Sequence, residues 1–313
     1  MFLKTLEDLR KKLILKNQTA DNAISRRDEK SRFQSTLFLL PSLIGVCVFY
    51  VIPFLIVIYY SGIDNPISHK FVGLKNYIHV WNNLAFRKAS LNTALFSIVA
   101  VPLAVLLAMG LALLLDEKVP GKSKFRTFLL SPMMVPTASV VLIWQVLFHN
   151  NGTFNEILDF FGRDSIDWLN SGYAHVVIVL LFLWKNLGYN MILFMAALGS
   201  IPTELIEAAS LENASKRQIF MYIKLRYMTP TFMFVTLMSI INSFKVFREI
   251  YMLKGDYPYS TMYMLQHFMN NTFKSLDYQK MSAAAIIMTI VMVVIIGALF
   301  LAEGKLGQDF EDE

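Results

Sequence analysis

The sequence lacks the motifs that arrange catalytic groups in many enzymes. Its single cysteine, Cys47, lies in an apolar run, so no intramolecular disulfide can form. The chain has no GxxxxGK(S/T) phosphate loop, no HExxH motif, no GxSxG motif and no paired His/Cys cluster. We therefore predict a protein that is not an enzyme, with no catalytic residues, no metal site and no cofactor of its own.

Charged residues are also scarce, at 17% of the chain against about 25% in soluble globular domains. Hydrophobic residues make up 55%, and the mean hydropathy of +0.48 calls for a lipid bilayer. The net charge of +6 would suit nucleic acid, but the positive residues cluster at the N-terminus and in short loops, which is the pattern that sets membrane topology. The first apolar run follows a long charged leader and is too long for a signal peptide, so we predict none.

Six apolar runs each approach the ~20 residues that a membrane-spanning helix needs. We therefore predict an all-α membrane protein with six transmembrane helices. It divides into an N-terminal segment at 1–34, a transmembrane domain at 35–303 and an acidic tail at 304–313. The N-terminal segment is interpreted as a solvated tail that helps to fix orientation. The predicted spans are 37–60, 94–115, 128–148, 174–198, 229–247 and 283–302.

Lys and Arg are distributed unevenly between the two sides of the predicted membrane. One side carries 18 of them, in the segments 1–34, 116–127, 200–228 and the C-terminus. The other side carries 8, in the segments 61–90, 149–172 and 251–281. The positive-inside rule therefore predicts that both termini and the 200–228 loop are cytoplasmic. The outer segments contain aromatic residues that suit either contact with a partner or anchoring at the membrane interface: Tyr77, Trp81, Trp168, Tyr257 and Tyr259.

The cytoplasmic loop at 204–230 has an ordered pattern. Its first half has apolar residues at helical spacing, and Asn213 then interrupts the pattern, since Asn tolerates the left-handed backbone that ends helices. A second amphipathic piece includes Ile219 and Ile223 and is predicted to end at Pro230. This helix-turn-helix pattern is typical of a surface that binds another protein. It fits equally well with a connector that lies on the lipid headgroups.

Polar side chains inside the fourth and fifth runs predict a substrate pathway. Lys185 lies near the middle of the fourth run, where a charge is costly unless it faces a cavity or a partner. Phe182, Asn186 and Tyr189 share its helical face. In the fifth run, Asn242, Lys245 and Glu249 share another face, and amides beside aromatic rings suit a carbohydrate. For an individual Asn or Ser residue, hydrogen bonding between helices is the favoured explanation, whereas for Lys185 with its neighbours on the same face the pathway is favoured.

The loop contains Glu207-Ala208-Ala209, Asn213-Ala214, Phe220, Ile223 and Leu225. These residues resemble the EAA loop of the permease subunits of ABC importers, whose pattern is Glu-Ala-Ala, then Gly-Ala, then Ile-x-Leu-Pro. The resemblance covers about residues 36–300 and points to the maltose-type carbohydrate branch. Further matching stretches are Phe71-Val-Gly-Leu-Lys-Asn-Tyr77, Leu91-Asn-Thr93, Phe125-Arg-Thr-Phe128, Pro132-Met-Met-Val-Pro136, Ile166-Asp-Trp-Leu169, Ile201-Pro202 and Lys245-Val-Phe-Arg-Glu-Ile-Tyr251.

The loop departs from the family pattern at three positions. Asn213 replaces the glycine, Glu212 replaces the preceding aspartate, and Arg226 replaces the final proline. After the fifth run, Gly255-Asp-Tyr-Pro258 stands where the family has Gly-Gly-Pro. The change at Arg226 affects the end of the second short helix, and the change at 255–258 affects the outer loop and the choice of substrate.

The resemblance implies the type I ABC importer permease fold, with a cytoplasmic coupling helix, in a bacterial cell membrane. It implies a second permease subunit, two ATPase subunits that bind ATP and Mg, and an extracytoplasmic binding protein that delivers a sugar. It also implies two sets of site residues. Those that couple to the ATPase are Glu207, Ala208, Ala209, Glu212, Asn213 and Ala214. Those along the substrate pathway are Met133, Thr137, Phe182, Lys185, Asn186, Tyr189, Asn242, Ser243 and Val246.

Two other functions are compatible with the residues. One is a permease for a different polar solute, such as a glycerol phosphodiester, which Lys185 and Arg248 would favour, or a polyamine, which would need more carboxylates than Glu249 alone. The other is a membrane receptor or scaffold that does not transport. A scaffold has no need of a helix-turn-helix that fits a groove, so the loop at 204–230 argues against it.

Overall fold

The structure, a computed structural model, describes residues 38–116 and 121–311. This part of the chain is helical, apart from loops and one antiparallel bridge between Ile63 and Phe71. The all-α prediction is confirmed. The predicted N-terminal segment at 1–34 lies outside the described residues.

The chain divides into two compact units, one up to Tyr59 and one from Tyr60 onward. The first unit contains most of helix α1, Phe38–Ser61, which includes a π-helical stretch at Cys47–Val51. Its apolar side chains, Phe49 among them, are largely exposed. Such a surface suits surroundings of lipid or of other subunits rather than water.

The second unit contains the remaining described helices. The longest is α13, which starts at Tyr278 and continues into the predicted acidic tail at 304–313. The bounds are α2 Lys75–Trp81, α3 Leu84–Asp116, α4 Lys122–Met134, α5 Thr137–Leu147, α6 Thr153–Phe160, α7 Ala174–Gly199, α8 Thr203–Leu211, α9 Lys216–Gln218, α10 Leu225–Phe244, α11 Phe247–Lys254, α12 Leu265–Lys274 and α13 Tyr278–Glu311. A π-helical stretch at Ile219–Lys224 joins α9 to α10 without a break.

Five described helical stretches are long and apolar enough to cross a membrane, and α4 with α5 makes a sixth if the pair is counted as one span. These two helices replace the third predicted run and meet at an angle of 101°. The bend lies at Val135, which is extended (φ −80°, ψ 128°) because it precedes Pro136. The third run is therefore not one continuous helix. The five stretches are Phe38–Ser61, Leu84–Asp116, Ala174–Gly199, Lys216–Lys254 and Tyr278–Ala302.

The centre of the second unit is the contact between α3 and α7. Four alanines at four-residue spacing on α3 are fully buried: Ala100, Ala104, Ala108 and Ala112. Residues four apart lie on one helical face, and small side chains there let membrane helices pack closely. Phe194 on α7 and Val235 on α10 belong to the same cluster as Ala108, so α10 closes this core from another side.

Candidate functional site

A cavity of about 390 Å³ lies between α4, α7, α10 and α11. It combines charged groups, amides, a phenol and apolar surface. Seven of the nine residues predicted along the substrate pathway lie in its wall, together with four that were not in that set. The lining residues are Met133, Leu181, Phe182, Lys185, Asn186, Tyr189, Asn242, Lys245, Val246, Arg248 and Glu249.

Two amide side chains connect α7 to α10 at the cavity wall. Asn242 donates from Nδ2 to Oδ1 of Asn186 at 3.0 Å, and Asn186 donates in turn to the carbonyl oxygen of Phe182 at 2.8 Å. One turn further along α7, the buried Asn190 donates to Oγ of Ser239 at 3.0 Å. Asn190 serves helix packing, whereas Asn186 and Asn242 both join the helices and face the cavity.

Lys185 and Glu249 form an ion pair across the cavity, between α7 and α11. Their side chains are 22% and 12% exposed. A charge within the membrane is costly unless it faces a cavity or a partner, and Lys185 has both. The pair connects α11 to α7, and removal of one member would leave the other uncompensated.

The regular α-helix is interrupted between α10 and α11 at Lys245 and Val246. Lys245 caps α10 and Val246 precedes α11, both with helical dihedral angles, so the two helices stay within the single helical stretch Lys216–Lys254. Lys245 and Arg248 are exposed in the cavity wall, and neither forms an ion pair within residues 38–116 and 121–311. An irregularity in a membrane helix is tolerated where it lines a cavity.

Two predicted pathway residues do not line the cavity. Ser243 is buried, and its Oγ lies 2.8 Å from Oγ of Ser97 on α3. Successive residues of a helix differ by about 100°, so if Asn242 faces the cavity, Ser243 faces elsewhere. Thr137 is the half-buried first residue of α5, beyond the bend at Pro136. The position of Thr137 depends on this bend, and the apolar pattern of the third run did not predict a bend.

Four residues of the cavity wall were absent from the predicted set: Leu181, Lys245, Arg248 and Glu249. A signal for two of them exists in the sequence, because Lys245 and Glu249 share a helical face with Asn242. Arg248 has the same kind of signal, because it lies three residues after Lys245 and therefore on the same helical face.

The loop at 204–230 forms a helix-turn-helix. Asn213, after α8, has φ +61°, so the predicted left-handed turn is confirmed. Ser215 then starts α9 with a capping box, in which its Oγ accepts from the backbone N–H of Gln218 at 3.3 Å and Gln218 Oε1 accepts from the N–H of Ser215 at 2.8 Å. The predicted end at Pro230 is wrong, because α10 continues through it to Phe244. Membrane helices tolerate proline where neighbours compensate for the lost hydrogen bond.

The loop presents one face outward and anchors the other. Glu207 and Ala208 are exposed, and Leu211 at the end of α8 is 85% exposed. On the inner face, Ile206 and Ile223 pack against the core of α3, α7 and α10. Of the other predicted coupling residues, Glu212 and Asn213 are exposed, and Ala209 and Ala214 are half-buried. The outer face therefore offers apolar and acidic groups to a partner.

An ion pair ties the loop to the end of α3. Lys224 Nζ lies 2.6 Å from Oδ2 of Asp116. Asp116 is the last residue of α3, and Lys224 is the last residue of the π-helical stretch. These two ends therefore lie on the same side of the second unit.

The outer segments are held by side-chain hydrogen bonds. Asn155 on α6 donates to the carbonyl oxygens of Asn150 and Ile166, each at 2.9 Å, and accepts from Trp168 Nε1 at 3.0 Å. Lys274 donates to Asp256 at 2.6 Å and to the hydroxyl of Tyr251 at 2.9 Å. These two partners, Asp256 foremost, raise the pKa of Lys274. The segments thus form an ordered surface rather than loose connections.

The sequence matches, over residues 100–308, the family described as binding-protein-dependent transport system inner membrane component. A trehalose/maltose transport system permease protein of Thermococcus litoralis is 30% identical over 278 residues, which cover 87% of this chain and 94% of that protein. A probable starch degradation products transport system permease protein of Thermoanaerobacterium thermosulfurigenes is 29% identical over 272 residues, 83% of this chain and 90% of that protein.

A solved structure has the same fold. It is a bacterial ABC transporter involved in the import of the acidic polysaccharide alginate, with a TM-score of 0.80 at 20% identity, covering 89% of this chain and 98% of that chain. At this identity the likeness establishes the fold of the type I importer permease.

Proposed function

The chain belongs to the family of inner membrane components of binding-protein-dependent transport systems, and from this premise we propose that it forms part of the pathway of an ABC importer for a sugar or oligosaccharide. The observation that carries the proposal is the cavity, in which the amides of Asn186 and Asn242 lie in one wall with the rings of Phe182 and Tyr189. Hydroxyl groups bind to amides, and the apolar faces of sugar rings pack on aromatic side chains. Relatives named for trehalose/maltose and for starch degradation products support the same substrate class.

The complete importer contains a second permease subunit, two ATPase subunits and an extracytoplasmic binding protein. ATP and Mg bind to the ATPase subunits, because this sequence has no phosphate loop. The exposed face of α8 docks into a groove of an ATPase subunit, where Glu207 pairs with a basic residue and Ala208 permits close approach. Closure of the ATPases on ATP then moves the permease helices as rigid bodies between two access states.

The loop at 204–230 and both termini face the cytoplasm in this proposal. The count of Lys and Arg supports this orientation. The contact of Lys224 with Asp116 supports it as well, since the count assigns both of their loops to the same side. The outer segments, held by Asn155 and Asp256, then face the binding protein.

The proposal is tested by reconstituting the complete complex in liposomes. The binding protein is added on the side that the outer segments face, and omitted in the control. Maltotriose, trehalose and a panel of uronate, sulfated and phosphorylated oligosaccharides serve as substrates. We expect uptake of at least one saccharide that requires ATP and the binding protein. ATP hydrolysis without uptake of any saccharide, combined with uptake of spermidine or a glycerol phosphodiester, would contradict the sugar assignment.

A further inference from the structure

The charges in the cavity do not balance. Of the 29 Lys and Arg residues of the chain, only Lys185, Lys245 and Arg248 lie outside the terminal and loop segments that determine orientation. All three line this cavity, and Glu249 is the one acidic residue in the described wall. The wall therefore carries three positive side chains and one negative one.

The single carboxylate is already engaged. Glu249 is paired with Lys185 on the opposite wall, which leaves Lys245 and Arg248 to face the cavity without an ion-pair partner among the residues of the described ranges. Two like charges close together in a cavity wall repel each other, and charges in or beside membrane spans mark the pathways of ions and charged substrates. A negatively charged occupant would offset this cost.

The position of the two cations suits recognition of an acidic group. Both lie at the junction of α10 and α11, in the same cavity wall as the hydrogen-bonding amide of Asn242. The planar guanidinium of Arg248 can donate two parallel hydrogen bonds to a carboxylate, sulfate or phosphate, and the ammonium of Lys245 adds a compact charge. Tyr189 and Asn186 remain for the hydroxyl groups of the sugar.

We propose that the substrate of this importer is an anionic saccharide, whose carboxylate, sulfate or phosphate groups bind to Arg248 and Lys245. The inference rests on the proposed function, because it assumes that a saccharide enters this cavity, and it narrows the class to charged sugars. A neutral sugar would leave both cations without an ion-pair partner among the described residues of this chain.

Matched pairs of sugars test the inference in liposomes that contain the complete complex and its binding protein. The pairs are trigalacturonate and its methyl ester, a sulfated oligosaccharide and its desulfated form, and a sugar phosphate and its dephosphorylated form. We expect an anionic member to be taken up at least about tenfold faster than its neutral partner, and the pair that responds identifies the acidic group. Equal or faster uptake of the neutral members would overturn the inference while leaving the sugar importer intact. Uptake of no sugar by a complex that hydrolyses ATP would instead contradict the proposed function.

Substitutions in the cavity wall test whether the preference for anionic sugars arises in this cavity or in the binding protein. Arg248→Gln and Lys245→Gln should each reduce uptake of the anionic sugar about tenfold, which corresponds to about 1.4 kcal/mol, close to the lower limit of about 1.5 kcal/mol for a hydrogen bond to a charged group. Arg248→Lys should restore part of the loss, because it keeps the charge. Lys124→Gln is the control for the loss of a positive charge, since Lys124 is exposed on α4 and does not line the cavity, and it should leave uptake unchanged. Assembled complexes in which both cavity variants import the anionic sugar at the normal rate would refute the assignment.

Discussion

The α-carbon of Gly188 on α7 lies directly against the backbone of Leu129 on α4. A Cβ atom on Gly188 would be 1.9 Å from the carbonyl oxygen of Leu129, which is far inside van der Waals contact. No side chain can rotate to relieve this contact, because the opposing atom belongs to the backbone. Glycine at this position therefore sets the distance between the two helices, and α4 carries Met133 to the cavity wall one turn later.

Gly188→Ala should destabilise the protein strongly. Overpacked sites cost about 1–3 kcal/mol and more when the backbone must move, so we expect a lower melting temperature in detergent and a lower yield of assembled complex. Gly199→Ala is the matched control, because it lies at the end of the same helix and a Cβ there meets nothing within 4 Å. A Gly188→Ala protein that melts with the wild type would show that α4 and α7 do not pack as described.

Asn186→Ala with Tyr189→Ala should lower sugar uptake about tenfold while the complex still assembles. The two substitutions remove an amide and a phenol from the cavity wall, and each hydrogen bond contributes about 0.5–1.5 kcal/mol. Ser243→Ala is the control, since Ser243 bonds to Ser97 and does not line the cavity. It should leave the order of preference among substrates unchanged. If the Asn186→Ala, Tyr189→Ala variant also kept the order of preference among substrates, Asn186 and Tyr189 would contribute to helix packing and not to substrate binding.

Glu207→Lys should prevent co-purification of the ATPase subunits and abolish uptake, although the permease still reaches the membrane. The exposed carboxylate lies on the outer face of α8, and reversal of its charge turns an attraction into a repulsion. Glu156→Lys makes the same change at an exposed position of α6, on the side proposed to face away from the ATPases, and should leave their binding intact. Normal ATPase binding by Glu207→Lys would exclude the proposed docking role.

Stability of the outer region should depend on pH through His267. Burial lowers the pKa of His267 from 6.5 to about 4, against a smaller opposite effect of Asp256. The unfolded chain therefore binds a proton at a higher pH than the folded chain does. The resulting stability is complete above about pH 6.5 and declines as the pH falls towards about 4. The full loss is about 3 kcal/mol.

Thermal unfolding between pH 7.5 and pH 4.5 measures this effect, with His267→Gln for comparison. Nδ1 of His267 accepts from the N–H of Met264 at 3.2 Å, and the glutamine oxygen keeps an acceptor without a titrating group. We expect a steeper fall in melting temperature for the wild type than for His267→Gln. Parallel curves would mean that His267 does not titrate in this range.

The parts of the fold that follow from local chemistry were accessible from the sequence. Hydropathy identified the apolar helices because a span is defined by its own length and composition. The spacing of Phe182, Lys185, Asn186 and Tyr189 identified one wall of the cavity, because all four lie on a single helix. The left-handed turn at Asn213 follows from the side chain itself.

Features that depend on distant contacts or on breaks in helices were not accessible. The pairing of Lys185 with Glu249 joins residues 64 positions apart, and no local pattern specifies it. The predicted placement of Thr137 was made without the 101° bend before it.

One stretch of helix connects the loop to the cavity. From Lys216 to Phe244, α9, the π-helical stretch and α10 run without interruption, a length of about 43 Å at 1.5 Å per residue. Ser215 lies just before the start of this stretch and Asn242 near its end, so a rigid-body movement of the stretch would displace both the loop and the cavity wall. A rotation of about 100° would replace Asn242 by Ser243 at that wall. A twist of this stretch would therefore exchange an amide for a hydroxyl in the passage and change its chemistry as well as its width.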